Sequence, residues 1–172
     1  MNRRLSLLCF ALTIGGCSTY APSVPENYAG PRAQLADSVK VHSSSKADFF
    51  VVEKIDGAGV DNSLNETFRR NQGRGMSMTP YLIDRALIAE APIKLQLKGR
   101  TYYAAPIQAL ANTVFQVKGV VEFTPKADAT YVVKGELGES YSAVWIEDAE
   151  TNTAVGQRVE VKGSAKLGLL EK

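Results

Sequence analysis

Ile93-Lys94-Leu95-Gln96-Leu97-Lys98 sets an aliphatic residue at every second position and a polar one between each pair. Successive side chains of a strand point to opposite faces, so this stretch predicts a β-strand with one dry and one wet face. The same period recurs where Phe115 and Val117 alternate with Gln116 and Lys118, and Val159 and Val161 with Arg158, Glu160 and Lys162. Phe49-Phe50-Val51-Val52, Tyr131-Val132-Val133 and Val144-Trp145-Ile146 are unbroken apolar runs, expected of strands buried on both faces, with Trp145 in the core. Helical spacing is scarce and confined to Ala104 to Asn112, where Pro106 limits it.

Turn residues separate these runs. Ile55-Asp56-Gly57 ends one strand, Pro125-Lys126-Ala127-Asp128 connects two, and Asp148-Ala149-Glu150-Thr151-Asn152 joins two strands as a hairpin. An aliphatic-Lys-Gly triplet occurs at Leu97-Lys98-Gly99, Val117-Lys118-Gly119, Val133-Lys134-Gly135 and Val161-Lys162-Gly163. Its spacing is too irregular for a solenoid or propeller. Each copy is expected to close a strand, with Gly permitting the turn and Lys keeping the strand end soluble. Seven to nine strands so spaced predict an all-β antiparallel β-sandwich, immunoglobulin-like or transthyretin-like in order, with a small closed β-barrel as the alternative. A membrane-spanning barrel fits poorly, because the strands are short and many carry Lys or Glu.

Location is written at the other end of the chain. Arg3 and Arg4 precede the apolar run Leu5 to Ile14, and Ile14-Gly15-Gly16 leads into Cys17. Ten helical residues span only ~15 Å, half the ~30 Å of a bilayer core, so the segment reads as a signal peptide. Ser6 interrupts the apolar pair that should follow the arginines of a twin-arginine signal, which favours general secretion. The Ile-Gly-Gly-Cys ending resembles the lipobox of bacterial lipoproteins. That resemblance implies cleavage before Cys17, acylation of Cys17, and, with Ser18 rather than an acid next to it, an outer-membrane address. Three parts follow: a signal peptide over 1–16, a lipidated tether over 17–30 containing Pro22, Pro25 and Gly30, and a sandwich domain over 31–172.

Processing alters the charge balance. The chain has 20 Lys and Arg against 18 Asp and Glu, and losing Arg3 and Arg4 leaves 18 of each. A near-neutral domain lacks the basic footprint of a nucleic-acid partner. Cys9 is removed with the signal and Cys17 is acylated, so core packing alone is expected to hold the domain in an oxidising compartment.

Candidate chemistry is sparse. His42, the single histidine, lies in Val41-His42-Ser43-Ser44-Ser45, which reads as a polar loop without the orienting carboxylate of a triad. One histidine and no free cysteine argue against zinc or copper, and no cofactor is expected. Asp56 and Asp61, or Glu147, Asp148 and Glu150, offer oxygen ligands for calcium, but at spacings unlike an EF-hand and better suited to turns. Gly57-Ala58-Gly59 and Gly73-Arg74-Gly75 lack the remaining residues of nucleotide-binding motifs.

The stretch from Asp61 to Gly75 is long, polar and locally basic. It reads as a loop whose length makes it the candidate binding site, where Arg69, Arg70 and Arg74 could pair with phosphate or carboxylate groups of lipids or cell-wall peptides. The favoured reading is a solvated excursion in which Asp61 and Glu66 balance these arginines. The domain also resembles a group of uncharacterised Gram-negative envelope lipoproteins. The likeness rests on Tyr28-Ala29-Gly30-Pro31, Phe49 to Gly57, Val120 to Pro125, Tyr131 to Gly135 and Val144 to Asp148. It implies fold and location but no activity. The expectation is therefore a non-enzymatic outer-membrane lipoprotein facing the periplasm, serving as an accessory module for another envelope protein. Alternatives are a module binding cell-wall or lipid fragments and, third, a carboxylate-dependent hydrolase.

Overall fold

The computed structural model describes Tyr20 and residues 22–172; the segment read as a signal peptide and Cys17, expected to be acylated, lie outside the described residues. Strands β1 (Arg32–Ala36), β2 (Ser38–Ser43), β3 (Lys46–Ile55) and β4 (Ala58–Gly59) precede a helix, α1 (Ser63–Asn71). Then come β5 (Asp84–Ile88), β6 (Ile93–Tyr103), a short helix α2 (Pro106–Ala111), β7 (Gln116–Phe123), β8 (Thr130–Glu136), β9 (Tyr141–Asp148) and β10 (Thr153–Lys162). They form two sheets, one ordered β10-β9-β8-β1-β5 and the other β2-β3-β6-β7, with β4 appended to β3. The sheets pack face to face without closing into a barrel, so the domain is an all-β sandwich.

Period 2 locates the core. On β6, Ile93, Leu95, Leu97, Thr101 and Tyr103 are buried while Lys94 is exposed. Ile93, Leu95 and Leu97 share one core with Leu35, Leu87, Tyr131, Val133, Val144 and Ile146 of the other sheet. The continuous run of β3 serves two cores: Phe50 and Val52 point between the sheets, whereas Phe49 and Val51 point outward beneath Leu64 of α1 and Met78. Phe49-Phe50-Val51-Val52 is apolar throughout because a helix covers the outer face of its sheet.

One extended segment supplies both sheets. β1 lies inside the first sheet, antiparallel to β5 and parallel to β8, and after Asp37 the chain continues as β2 at the edge of the second. Asp37 is buried at that crossing. Its carboxylate accepts hydrogen bonds from the Val52 and Ser63 amides (3.1 and 2.8 Å), the Ser63 hydroxyl (2.9 Å) and the Arg85 guanidinium (2.8 Å). Burial pushes the Asp37 pKa up, while Arg85 and these donors pull against it.

Three local expectations need correction. Gly99, Gly119 and Gly135 do not close strands but lie within β6, β7 and β8; only Gly163 follows a strand end. They leave room for neighbours: a Cβ on Gly135 would lie 2.3 Å from the Phe50 ring, one on Gly99 3.1 Å from the same ring, and one on Gly119 2.6 Å from Val159. His42 lies on strand β2 rather than in a loop, because its segment pairs with β3. Trp145 is not in the core. Continuous apolar sequence hides its outward direction, and it is half-buried under the Arg158 guanidinium, 4.4 Å from its ring.

Candidate functional site

The stretch read as an arginine-rich loop is the helix α1. Asn62 caps it, its side chain accepting from the Asn65 amide at 3.1 Å; Glu66 lies in the first turn and Arg69 and Arg70 in the last. Its buried positions are Ser63, Leu64, Glu66, Thr67 and Asn71, of which only Leu64 is apolar, so apolar periodicity does not reveal them.

Those polar positions hold the chain that follows. The Thr79 amide donates to Asn71 Oδ1 (2.8 Å), the Tyr81 amide to Thr67 Oγ1 (2.9 Å) and the Ile83 amide to Ser63 Oγ (2.8 Å). Four helical residues rise about 6 Å and two extended residues about 6.6 Å, so side chains four apart match amides two apart. The helix thus pairs with an extended segment through its side chains and is fixed against the outer face of the second sheet.

The arginines are largely engaged within this element. Arg69 pairs with Glu66 and, at 3.0 Å, with Asp61; Arg70 pairs with Glu66 and lies 4.5 Å over the Tyr81 ring. Arg74 follows the helix and forms no ion pair among the described residues. The reading in which Asp61 and Glu66 balance the arginines thus describes Arg69 and Arg70 but not Arg74.

A groove of about 470 Å³ opens beside α1 instead. Lys98, Arg100 and Tyr102, on the outward face of β6, form its floor, with Leu64, Asn65 and Phe68 of α1 on one wall. Pro106, Ala109 and Leu110 of α2, together with Val114, form the other wall, and Lys172 stands at one end. Pro106 at the first helical position sets the start of α2, and Gln108 Oε1 accepts from the Ala105 amide at 3.0 Å. The Tyr102 ring meets Phe49 edge-on at 6.0 Å, and burial pushes its pKa up, keeping the phenol protonated.

Charge in the groove is one-sided: its lining includes three cations and no Asp or Glu. Lys98 is balanced by Glu53 at 2.7 Å. Arg100 donates to the Gln116 side-chain oxygen at 2.7 Å, and Lys172 to the Asn112 carbonyl at 2.6 Å. These acceptors are neutral, and the carboxylate that acts on Arg100 is Glu53, which already pairs with Lys98. Burial pushes the Arg100 pKa down, with Glu53 opposing, yet an arginine stays charged at neutral pH. Phe68 is 53% and Leu110 49% exposed, so apolar surface remains open along the groove, and Ile107 of α2, next to the lining residue Pro106, is exposed beside it.

The other candidates lie elsewhere. His42 Nε2 is 2.7 Å from Asp48 Oδ2, while Asp48 Oδ1 accepts from the Thr101 hydroxyl at 2.7 Å, so an orienting carboxylate is present that the sequence did not show. Ser43 and Ser45 bond each other. Asp56 accepts from the Lys94 amide, Asp61 pairs with Arg69, Glu147 accepts from Trp145, and Asp148 accepts from the Glu150 and Thr151 amides. Among the described residues no group of three or more His, Cys, Asp or Glu could hold a metal ion. Comparison with protein-family models, with curated proteins and with solved structures finds no match in any of the three.

Proposed function

We propose that this chain is a lipid-anchored outer-membrane module, facing the periplasm, that binds another envelope component without transforming it. Cys17 is the anchor in this reading, on the strength of its lipobox-like context. The observation that supports binding is the groove: 470 Å³ falls in the ~300–1,000 Å³ range of small-molecule sites, and its apolar walls meet a few converging polar groups. The site therefore moves from the Arg69, Arg70 and Arg74 segment to the neighbouring face of α1.

The tether favours an orientation. Asn65, a lining residue, donates from Nδ2 to the Tyr20 hydroxyl at 3.0 Å. Tyr20 follows Cys17 by three positions, a reach of at most ~11 Å. An acylated Cys17 would thus keep the groove close to the membrane surface. The apolar walls favour a lipid fragment over a cell-wall peptide as the component bound.

The test is a photo-crosslinking residue at Ile107, beside the groove, compared with one at Glu150 on the distant β9–β10 turn. In intact cells the Ile107 probe should yield a single envelope adduct that disappears with Cys17→Ala, while the Glu150 probe should not. Identical adducts from both positions, or none from Ile107, would overturn the assignment.

A further inference from the structure

The groove has a direction. Arg100 and Lys172 lie toward one end, held by neutral oxygens. Past Phe68, Tyr102 and Pro106 a second depression of about 300 Å³ continues along α1, lined further by Asn71, Gln72, Gly73 and Gly75 and by no charged residue. A path with cations at one end and a neutral, partly apolar continuation at the other is complementary to a molecule with an anionic head and an apolar tail. We infer that the groove takes a single-chain amphiphile whose head is a carboxylate or a phosphate. This rests on the binding role proposed above and assigns the chemical class of its ligand.

Each part of such a ligand has a counterpart. The Arg100 guanidinium presents N–H donors in a planar fork suited to carboxylate or phosphate, and Lys172 adds a second charge. Protonated Tyr102 offers a further donor on the floor. Phe68 covers the tail from one side and Pro106 from the other, where the two depressions meet. Removing that apolar surface from water supplies the non-specific part of the affinity, and the cations select the head. The acyl chains of the chain's own anchor carry no negative charge, so they would leave the cationic end unmatched.

The full chain carrying Cys17→Ala, free of its own acyl groups, tests this by isothermal titration with twelve-carbon probes below their micellar concentrations. Dodecanoate or dodecyl phosphate should bind at one site per chain, and the preference between them identifies a fatty-acid or a phospholipid-like source. Dodecyltrimethylammonium and dodecyl maltoside should bind at least tenfold more weakly. Phe68→Ser and Arg100→Gln should each weaken the anionic probes at least fivefold with thermal unfolding unchanged, whereas Arg74→Ala should leave them unaltered. Equal binding of the cationic probe, lost with Phe68→Ser, would overturn the anionic assignment yet keep the groove as a binding site. No saturable binding of any probe would overturn the ligand class, and a silent Ile107 crosslink would remove the binding role with it.

Discussion

Phe50 occupies space that two glycines leave open. Its ring lies over Gly99 of the adjacent strand and against Gly135 of the opposite sheet, where an added Cβ would also meet the Ala143 carbonyl oxygen at 2.5 Å. Because the clash at Gly135 involves backbone as well as ring, Gly135→Ala should destabilise the domain by about 1–3 kcal/mol or more, read from chemical denaturation. Gly163→Ala tests the same residue type where no neighbour lies within 4 Å; its cost should come from the positive φ of 97° and be separable by the absence of core rearrangement in NMR spectra. Asp37 is a second such point. Asp37→Ala would leave the Arg85 guanidinium buried without its partner, a loss of about 3–5 kcal/mol in the same measurement. Neither role is legible in the chain. Gly135 follows an aliphatic-Lys pair as a turn glycine would, and Asp37 stands 48 residues from Arg85. Only the packing of the two sheets makes the neighbours that give them meaning.

At the scale of elements, the strands were legible and helix α1 was not. Strand β6 declares itself because every inward residue before Gly99 is aliphatic. In α1 the inward row replaces aliphatics with Thr67 and Asn71, whose partners are backbone groups of the next segment. The signals present were the Asn62 cap and the placement of acid before base along the turn. Thr67→Val keeps the shape and removes the acceptor for the Tyr81 amide, so it should cost about 1–3 kcal/mol and speed hydrogen exchange at Tyr81. Across β3, β6 and β7, Glu53 is held between Lys98 and Lys118 at 2.7 and 2.5 Å. Burial alone would push its pKa up, but hydrogen bonds and charge from the two lysines outweigh it and hold it below the ordinary 4.5. A lowered pKa in the folded state means stability fully present above pH 4.5 and lost as pH falls through the folded value. Glu53→Gln should therefore be less stable than the natural chain at pH 7, and the gap in denaturation midpoints should narrow below about pH 4.5.

For the molecule as a whole, sequence pattern sufficed for two packed sheets but not for their strand order, since period 2 fixes which side of a strand is dry and says nothing of its neighbours. The groove was equally hidden: its floor comes from β6, its walls from two helices far apart in sequence, and its cations from positions 98, 100 and 172. Both cysteines of the chain lie at or before residue 17, so the sandwich contains none. Its melting temperature should be the same with and without reductant, and any difference would show a dependence that its core does not supply. One last consequence concerns mechanics. The chain leading from residue 22 enters the sandwich through β1, which is bonded to β5 on one side and to β8 on the other rather than lying at an edge. Tension along that leader loads both ladders lengthwise at once, so their hydrogen bonds resist together in shear instead of opening one by one like a zip.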